Sequence, residues 1–255
     1  MPILDRSSRI FPQLKKLFRK DLLILLGILA ALLFFWGGIE LINRLVVDRA
    51  IAFDEWILTS VRTGDELQYL KGPHWFTEAV RDVTAMGGPM VLTFMILSVI
   101  GYFLIMKNYR TALLVVVATA GGLLVSLLLK DFFLRERPDI VPALMVETSP
   151  SFPSGHSMLS AVIYLTLGSI LTRMEPHPKI RTYTLALVIL VVGLVGISRI
   201  LLGVHYPTDV LVGWIVGYFW AALCWFVMMA LQEQGAIEQV PDAEGDSPPA
   251  ESGAV

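Results

Sequence analysis

Residues Thr111 to Leu129 read TALLVVVATAGGLLVSLLL, a run without a single charge, and Lys130 follows at once. A helix rises about 1.5 Å per residue, so such a run comes close to crossing the roughly 30 Å hydrocarbon core of a bilayer. Five other runs have the same character: Leu22 to Ile39, Ala85 to Met106, Ser157 to Thr172, Thr182 to Ser198 and Val210 to Leu231. Ser157 to Thr172 and Thr182 to Ser198 are slightly short, but Arg173 and Arg181 at their ends can snorkel to the interface. The fold these runs predict is all-α, a polytopic membrane protein built as a six-transmembrane-helix bundle. Gly213 and Gly217 in the last run form a small-xxx-small pair suited to close helix packing.

Composition points the same way. Of 255 residues, 55% are hydrophobic and only 16% charged, with a mean hydropathy of +0.68. An average soluble domain carries roughly 25% charged residues, so too little charge is present to cover a water-facing surface of this size. The net charge of -2 provides no basic field, and composition gives no case for nucleic-acid binding. Cys224 is the sole cysteine and reads as a packing residue within an apolar run.

Orientation follows from the basic residues of the short segments. Arg6, Arg9, Lys15, Lys16, Arg19 and Lys20 precede the first run, Lys107 and Arg110 follow the second, and Arg173, Lys179 and Arg181 follow the fourth. With six crossings these lie on one side, which the positive-inside rule makes cytoplasmic. Both termini are therefore expected inside. Residues 1–21 read as a basic cytoplasmic tail, and residues 22–231 as the membrane domain. The first run is read as an uncleaved helix, since no small-residue cleavage site follows Trp36.

Two segments lie outside the spans. Residues 40–84 place Ile42, Leu45, Val46, Ile51, Phe53 and Ile57 at roughly helical spacing among charges, which predicts short interfacial helices broken near Gly72-Pro73. Residues 232–255 carry six acids, no Lys or Arg, and the turn-prone Asp246-Ser247-Pro248-Pro249, and are expected to be an acidic, disordered cytoplasmic tail. Without those acids, Met1 to Leu231 holds 20 basic against 16 acidic residues, so the membrane body is basic.

Three polar clusters border the spans at odd numbers of crossings from the cytoplasmic N-terminus. Lys130 and Arg137-Pro138 follow the third run, Pro153-Ser154-Gly155-His156 opens the fourth, and Ser198-Arg199 through His205 to Asp209 joins the fifth to the sixth. Region 130–209 therefore gathers them on the outer face. Taken singly, Lys130, Arg137 and Arg199 suit interfacial anchors, Ser154 an N-cap, and Asp209 a helix N-terminus. Taken together they describe an anion site with its own acid and nucleophile. The helix start at Ser154-Gly155-His156 offers free backbone N–H groups, Gly155 admits a phosphate close to the backbone, and the three cations neutralise phosphoryl oxygens. His205 and Asp209 are four apart. If Pro207 opens a helix there, the carboxylate can orient one imidazole nitrogen and leave the other as nucleophile, with His156 as general acid and then base.

The patterns K-x6-R-P (Lys130 to Pro138), P-S-G-H (Pro153 to His156) and S-R-x5-H-x3-D (Ser198 to Asp209) resemble the three-part signature of the type 2 phosphatidic acid phosphatase family. That family shares its site with vanadium haloperoxidases and bacterial acid phosphatases. The resemblance implies a phosphatase that needs no metal and no cofactor, works through a phosphohistidine, and uses His205 as nucleophile, Asp209 to orient it and His156 as acid. It assigns Lys130, Arg137, Ser154, Gly155 and Arg199 to phosphate binding. His74 and His177 match no motif position.

The expected function is an integral membrane lipid phosphatase, in a bacterial inner membrane with its active site on the periplasmic side. Its expected partners are membrane lipids and a phosphorylated lipid of the undecaprenyl diphosphate, phosphatidylglycerol phosphate or phosphatidic acid type. Two alternatives use the same residues: a lipid-linked phosphotransferase, and a non-catalytic transporter or binder of anionic lipid. Against the latter, charges gather at one rim and almost none interrupts a span.

Overall fold

The computed structural model describes residues 36–37 and 51–233. Trp36, Gly37 and Ile51 are helical and belong to a first unit, Met1–Ile51; the described residues from Ala52 onward belong to a second. In chain order the elements are α1 (Ile51–Ser60), β1 (Arg62–Thr63), β2 (Tyr69–Leu70), α2 (His74–Ala85), α3 (Pro89–Ile105), α4 (Tyr109–Phe133), α5 (Gly155–Met174), α6 (Pro178–Leu201) and α7 (Pro207–Glu233).

Five segments among the described residues are long and apolar enough to cross a membrane: His74–Ile105, Tyr109–Phe133, Gly155–Met174, Pro178–Leu201 and Pro207–Val227. The first joins α2 and α3 across Met86-Gly87-Gly88, where Pro89 at the first helical position restarts the helix. The expected run Leu22 to Ile39 lies outside the described residues except for Trp36 and Gly37, as do the basic tail and residues 40–50. α7 continues through Gln232 and Glu233, two residues into the expected acidic tail, and the rest of that tail is outside the described residues.

Local chemistry sets the helix ends. Asn108 caps α4 by accepting from the Thr111 amide at 3.1 Å, and α4 stops where Leu134 turns left-handed at φ 47°. α6 begins at Pro178 and carries Lys179 and Arg181 in its first turn, so it is longer than the uncharged run from Thr182. The segment expected to lie at the interface differs in one respect from its purely helical expectation. Between α1 and α2 the chain forms a small antiparallel hairpin that pairs Arg62 with Leu70 and Thr63 with Tyr69. The expected break at Gly72-Pro73 is present: Gly72 has φ +137° and α2 starts immediately after Pro73.

α5 sits at the centre of the bundle, packed against α4, α6 and α7. Gly213 and Gly217 let α7 approach it: a Cβ on Gly213 would meet the Ser154 carbonyl at 2.8 Å, and one on Gly217 would meet the Met158 carbonyl at 2.5 Å. Two indoles fix α7 to its other neighbours. Trp220 Nε1 donates to the Ala118 carbonyl of α4 at 2.8 Å, and Trp214 Nε1 to the Val192 carbonyl of α6 at 3.1 Å. In contrast, Met90, Phe94 and Ile105 of α3 are exposed, as a lipid-facing surface requires.

Candidate active site

The open ends of α4, α5, α6 and α7 meet at the segment 134–153, which has no regular structure. Phe152-Pro153 is a cis peptide bond and leads directly into α5. Ser154 caps α5: it is fully buried, and its hydroxyl accepts from the Ser157 hydroxyl at 2.9 Å. Its amide donates to the backbone carbonyl of Asp209 at 3.0 Å, which ties the start of α5 to the start of α7. The second and third motifs are therefore joined by backbone.

The three expected cations converge on one short stretch of chain. Lys130, in the last turn of α4, donates from Nζ to Ser149 Oγ at 3.2 Å and to the Pro150 carbonyl. Arg137 donates from Nε to the Ser149 carbonyl at 2.9 Å and from Nη1 to the Val204 carbonyl at 2.6 Å. Arg199, fully buried at the end of α6, donates to Thr84 Oγ1 of α2 at 3.2 Å and pairs with the Glu147 carboxylate. The other oxygen of Glu147 lies 3.7 Å from Arg137 Nη2. Burial would raise the Glu147 carboxyl, but the Arg199 and Arg137 guanidiniums overcome this and hold it below the usual carboxylate range.

His205 is almost completely buried in the turn between α6 and α7. Its Nε2 lies 3.4 Å from Arg137 Nη1, and its Nδ1 lies 3.4 Å from Ser151 Oγ. Burial brings the imidazole down from an ordinary 6.5 to about 4; Asp209 opposes that fall, while Arg137 and Arg199 reinforce it. A neutral ring at physiological pH has a lone pair available for attack. The preceding turn depends on Gly203, whose φ is +71° and whose Cβ would sit 2.4 Å from the buried Arg62 guanidinium.

The Asp209 contact differs from the expected direct hydrogen bond. Its carboxylate stops 3.6 Å from His205 Nδ1, and the Ser151 hydroxyl fills the gap, donating to Asp209 Oδ2 at 2.5 Å. The same oxygen accepts the Tyr206 amide at 2.9 Å, and Oδ1 accepts Arg135 Nη1 at 2.5 Å. Pro207 does open α7, as the sequence predicts.

His156 occupies the first turn of α5, with its ring beside Gly87 at the α2–α3 break. Its side chain makes no hydrogen bond among the described residues. Gly155 lies against the lysine arm: a Cβ there would contact Lys130 Cε at 3.5 Å and Ser126 Oγ at 3.8 Å. His177 is remote in role, paired with Glu175 at the start of α6. Among the described residues no group of three or more His, Cys, Asp and Glu side chains is placed to hold a metal ion.

Sequence reasoning gave no role to Ser151, Glu147, Thr208 and Asp54, and set Arg135 beside the site without assigning it one. Arg135 stands two residues from Arg137, and Ser151 three from Ser154, so proximity to the motifs was their only signal. Asp54 had none. It is fully buried on α1 and accepts from the Thr208 amide at 3.1 Å, Thr208 Oγ1 at 2.6 Å and Arg135 Nη2 at 3.3 Å. Burial raises its carboxyl above the ordinary range, against the pull of those donors.

Residues 111–233 match the PAP2 superfamily. The chain is 39% identical over 148 residues to phosphatidylglycerophosphatase B of Bacillus subtilis, a match covering 56% of this chain and 70% of the relative. It is 33% identical over 137 residues to decaprenylphosphoryl-5-phosphoribose phosphatase of Mycobacterium tuberculosis, covering 51% and 68%. Among solved structures, the transmembrane PAP2-type phosphatidylglycerolphosphate phosphatase from Bacillus subtilis superposes with a TM-score of 0.66 at 30% identity, over 80% of this chain and 96% of that one. With the motif residues gathered at one end of an apolar helical bundle and these relatives alongside, the chain belongs to the PAP2 superfamily of membrane phosphatases.

Proposed function

We propose that this protein hydrolyses the terminal phosphate of a phosphorylated lipid through a phosphohistidine on His205. The observation that carries the reading is the setting of His205: buried, with Nε2 beside Arg137 and Nδ1 backed by Ser151 and Asp209, where burial pushes the imidazole down to about 4. With the proton on Nδ1, the Nε2 lone pair attacks phosphorus and the bond to the lipid oxygen breaks. His156, which takes up a proton when the phosphate anion binds beside it, gives that proton to the leaving oxygen. Neutral His156 then takes a proton from water, the hydroxide attacks phosphorus, and the P–N bond breaks to free phosphate and His205. Lys130, Arg137, Arg199 and the Ser154-Gly155 helix start hold the phosphoryl oxygens, whose charge needs fixed donors more than it needs covalent help.

The substrates that fit are lipids of the phosphatidylglycerol phosphate, undecaprenyl diphosphate and phosphatidic acid type. The names of the relatives support this class, and the lipid-facing helices support a substrate that keeps its tail in the bilayer. In this reading the membrane domain spans residues 22–231 of a bacterial inner-membrane protein, between a basic tail (1–21) and an acidic tail (232–255). Both termini are cytoplasmic and the site faces the periplasm. The deciding experiment is a panel of these lipids assayed for phosphate release in detergent, with His205→Ala as the blank. Release from at least one lipid by the wild-type chain and none by the variant is the expected result. Equal release by both sinks the phosphohistidine route, and a phosphorylated acceptor in place of free phosphate makes the protein a phosphotransferase.

A further inference from the structure

Asp54 lies on α1, far in sequence from the three motifs, yet its carboxylate ends a continuous polar chain that leads to His205. Its two oxygens take both donors of Thr208, at 3.1 Å and 2.6 Å, and a third hydrogen bond from Arg135 at 3.3 Å. Arg135 donates in turn to Thr208 Oγ1 at 2.9 Å and to Asp209 Oδ1 at 2.5 Å, with Tyr206 stacked on its guanidinium at 4.3 Å. Asp209 reaches His205 through Ser151. Charge alternates along this path, from carboxylate to guanidinium to carboxylate, and both carboxylates are fully sequestered from water.

A buried carboxylate survives only where it is paired and hydrogen-bonded, and here each pairing partner belongs to the nucleophile's surroundings. Capping the first turn of α7 would not need a charge, because an asparagine oxygen accepts the Thr208 amide equally well. Holding Arg135 between two anions does need one. With Asp54 neutral, Arg135 has a single anionic partner and its guanidinium is free to turn on Asp209. We infer that Asp54 is a positioning residue for the reaction, fixing Arg135 and the start of α7 so that Asp209 and Ser151 hold the His205 ring for attack. The inference rests on the reading of His205 as nucleophile. It also gives the outer segment a part in catalysis through another group, without contact to substrate.

The test uses the full-length protein in detergent and the most active lipid of the panel. Asp54→Asn keeps the volume and the cap but removes the charge. In steady state kcat should fall about 10- to 100-fold with KM within about twofold, the loss typical of a misplaced reacting group. A partly misfolded preparation would also lower apparent kcat, so the decisive measurement is a single turnover with enzyme in excess. The first-turnover rate constant should fall by the same factor while the amplitude stays complete. The double variant Asp54→Asn with Arg135→Gln leaves Asp209 in the same state as Arg135→Gln alone, and it should be no slower than the worse single variant, because both act on one path. A wild-type rate constant in Asp54→Asn, a loss confined to the amplitude, or additive losses in the double variant would each overturn the inference. No release from any lipid by the wild-type chain would instead remove the phosphatase reading, and this inference with it.

Discussion

The Glu147 carboxylate is ion-paired with Arg199, the most deeply buried cation of the site, and its second oxygen faces Arg137. An anion of the chain itself therefore spans two of the side chains that the mechanism assigns to phosphate. Any phosphoryl group that engages both guanidiniums competes with it.

Glu147→Gln removes that competing charge while keeping the shape. Inorganic phosphate and vanadate should then inhibit more tightly, by about threefold to tenfold, since a partly exposed ion pair contributes roughly 0.5–1.5 kcal/mol. Inhibition constants measured against the best lipid of the panel check this. Weaker inhibition in the variant would mean that Glu147 helps to shape the phosphate site and does not contend for it.

The state of His205 sets a pH signature. Its value of about 4 lies below the ordinary 6.5, so the acid limb of kcat/KM, which reports the free enzyme, should fall near pH 4. The stability consequence has a definite sign. Between pH 6.5 and 4 the unfolded chain takes up a proton at this position and the folded chain does not, so this contribution is lost as pH falls through that window. An acid limb near 6.5 would show a solvated imidazole in the working enzyme.

Ser151 stands between His205 and Asp209, and its removal tests whether that placement matters. Ser151→Ala should lower kcat about tenfold with little change in KM, because the ring loses the hydroxyl that links it to its carboxylate. Unchanged kcat would mean that Asp209 closes the 3.6 Å gap and serves His205 alone.

Packing offers a contrast between two glycines. Gly217→Ala drives a methyl into the Met158 carbonyl at 2.5 Å and Ala161 Cβ at 2.7 Å, so α5 and α7 must separate. A cost of about 1–3 kcal/mol is expected, read as a lower melting midpoint in detergent, with activity falling as Ser154 parts from Asp209. Gly193→Ala on α6 meets nothing within 4 Å and should be neutral or slightly stabilising. Equal midpoints for the two variants would count against the close α5–α7 contact.

Much of this protein is determined by its sequence alone. Uncharged runs near membrane length become helices because lipid offers no partner to a backbone N–H or C=O, so every such run must bond within itself. The motif residues were legible for a related reason: in a chain with so little charge, Lys130, Arg137 and Arg199 near His156 and His205 stand out. Helix ends were read less well, since Lys179 and Arg181 sit inside the first turn of α6, where charged side chains extend into water.

What only the tertiary structure decided is who holds the motif side chains. Ser151 entering between His205 and Asp209, Glu147 seated on Arg199, and Asp54 reaching Thr208 and Arg135 from α1 are contacts between residues distant in the chain. Hydrogen bonds of that kind leave no period and no spacing, because their geometry is set by where the helices cross. The adjacent acids Asp54 and Glu55 among Phe53, Trp56 and Ile57 read as interfacial charges until the fold buries Asp54 beside a guanidinium.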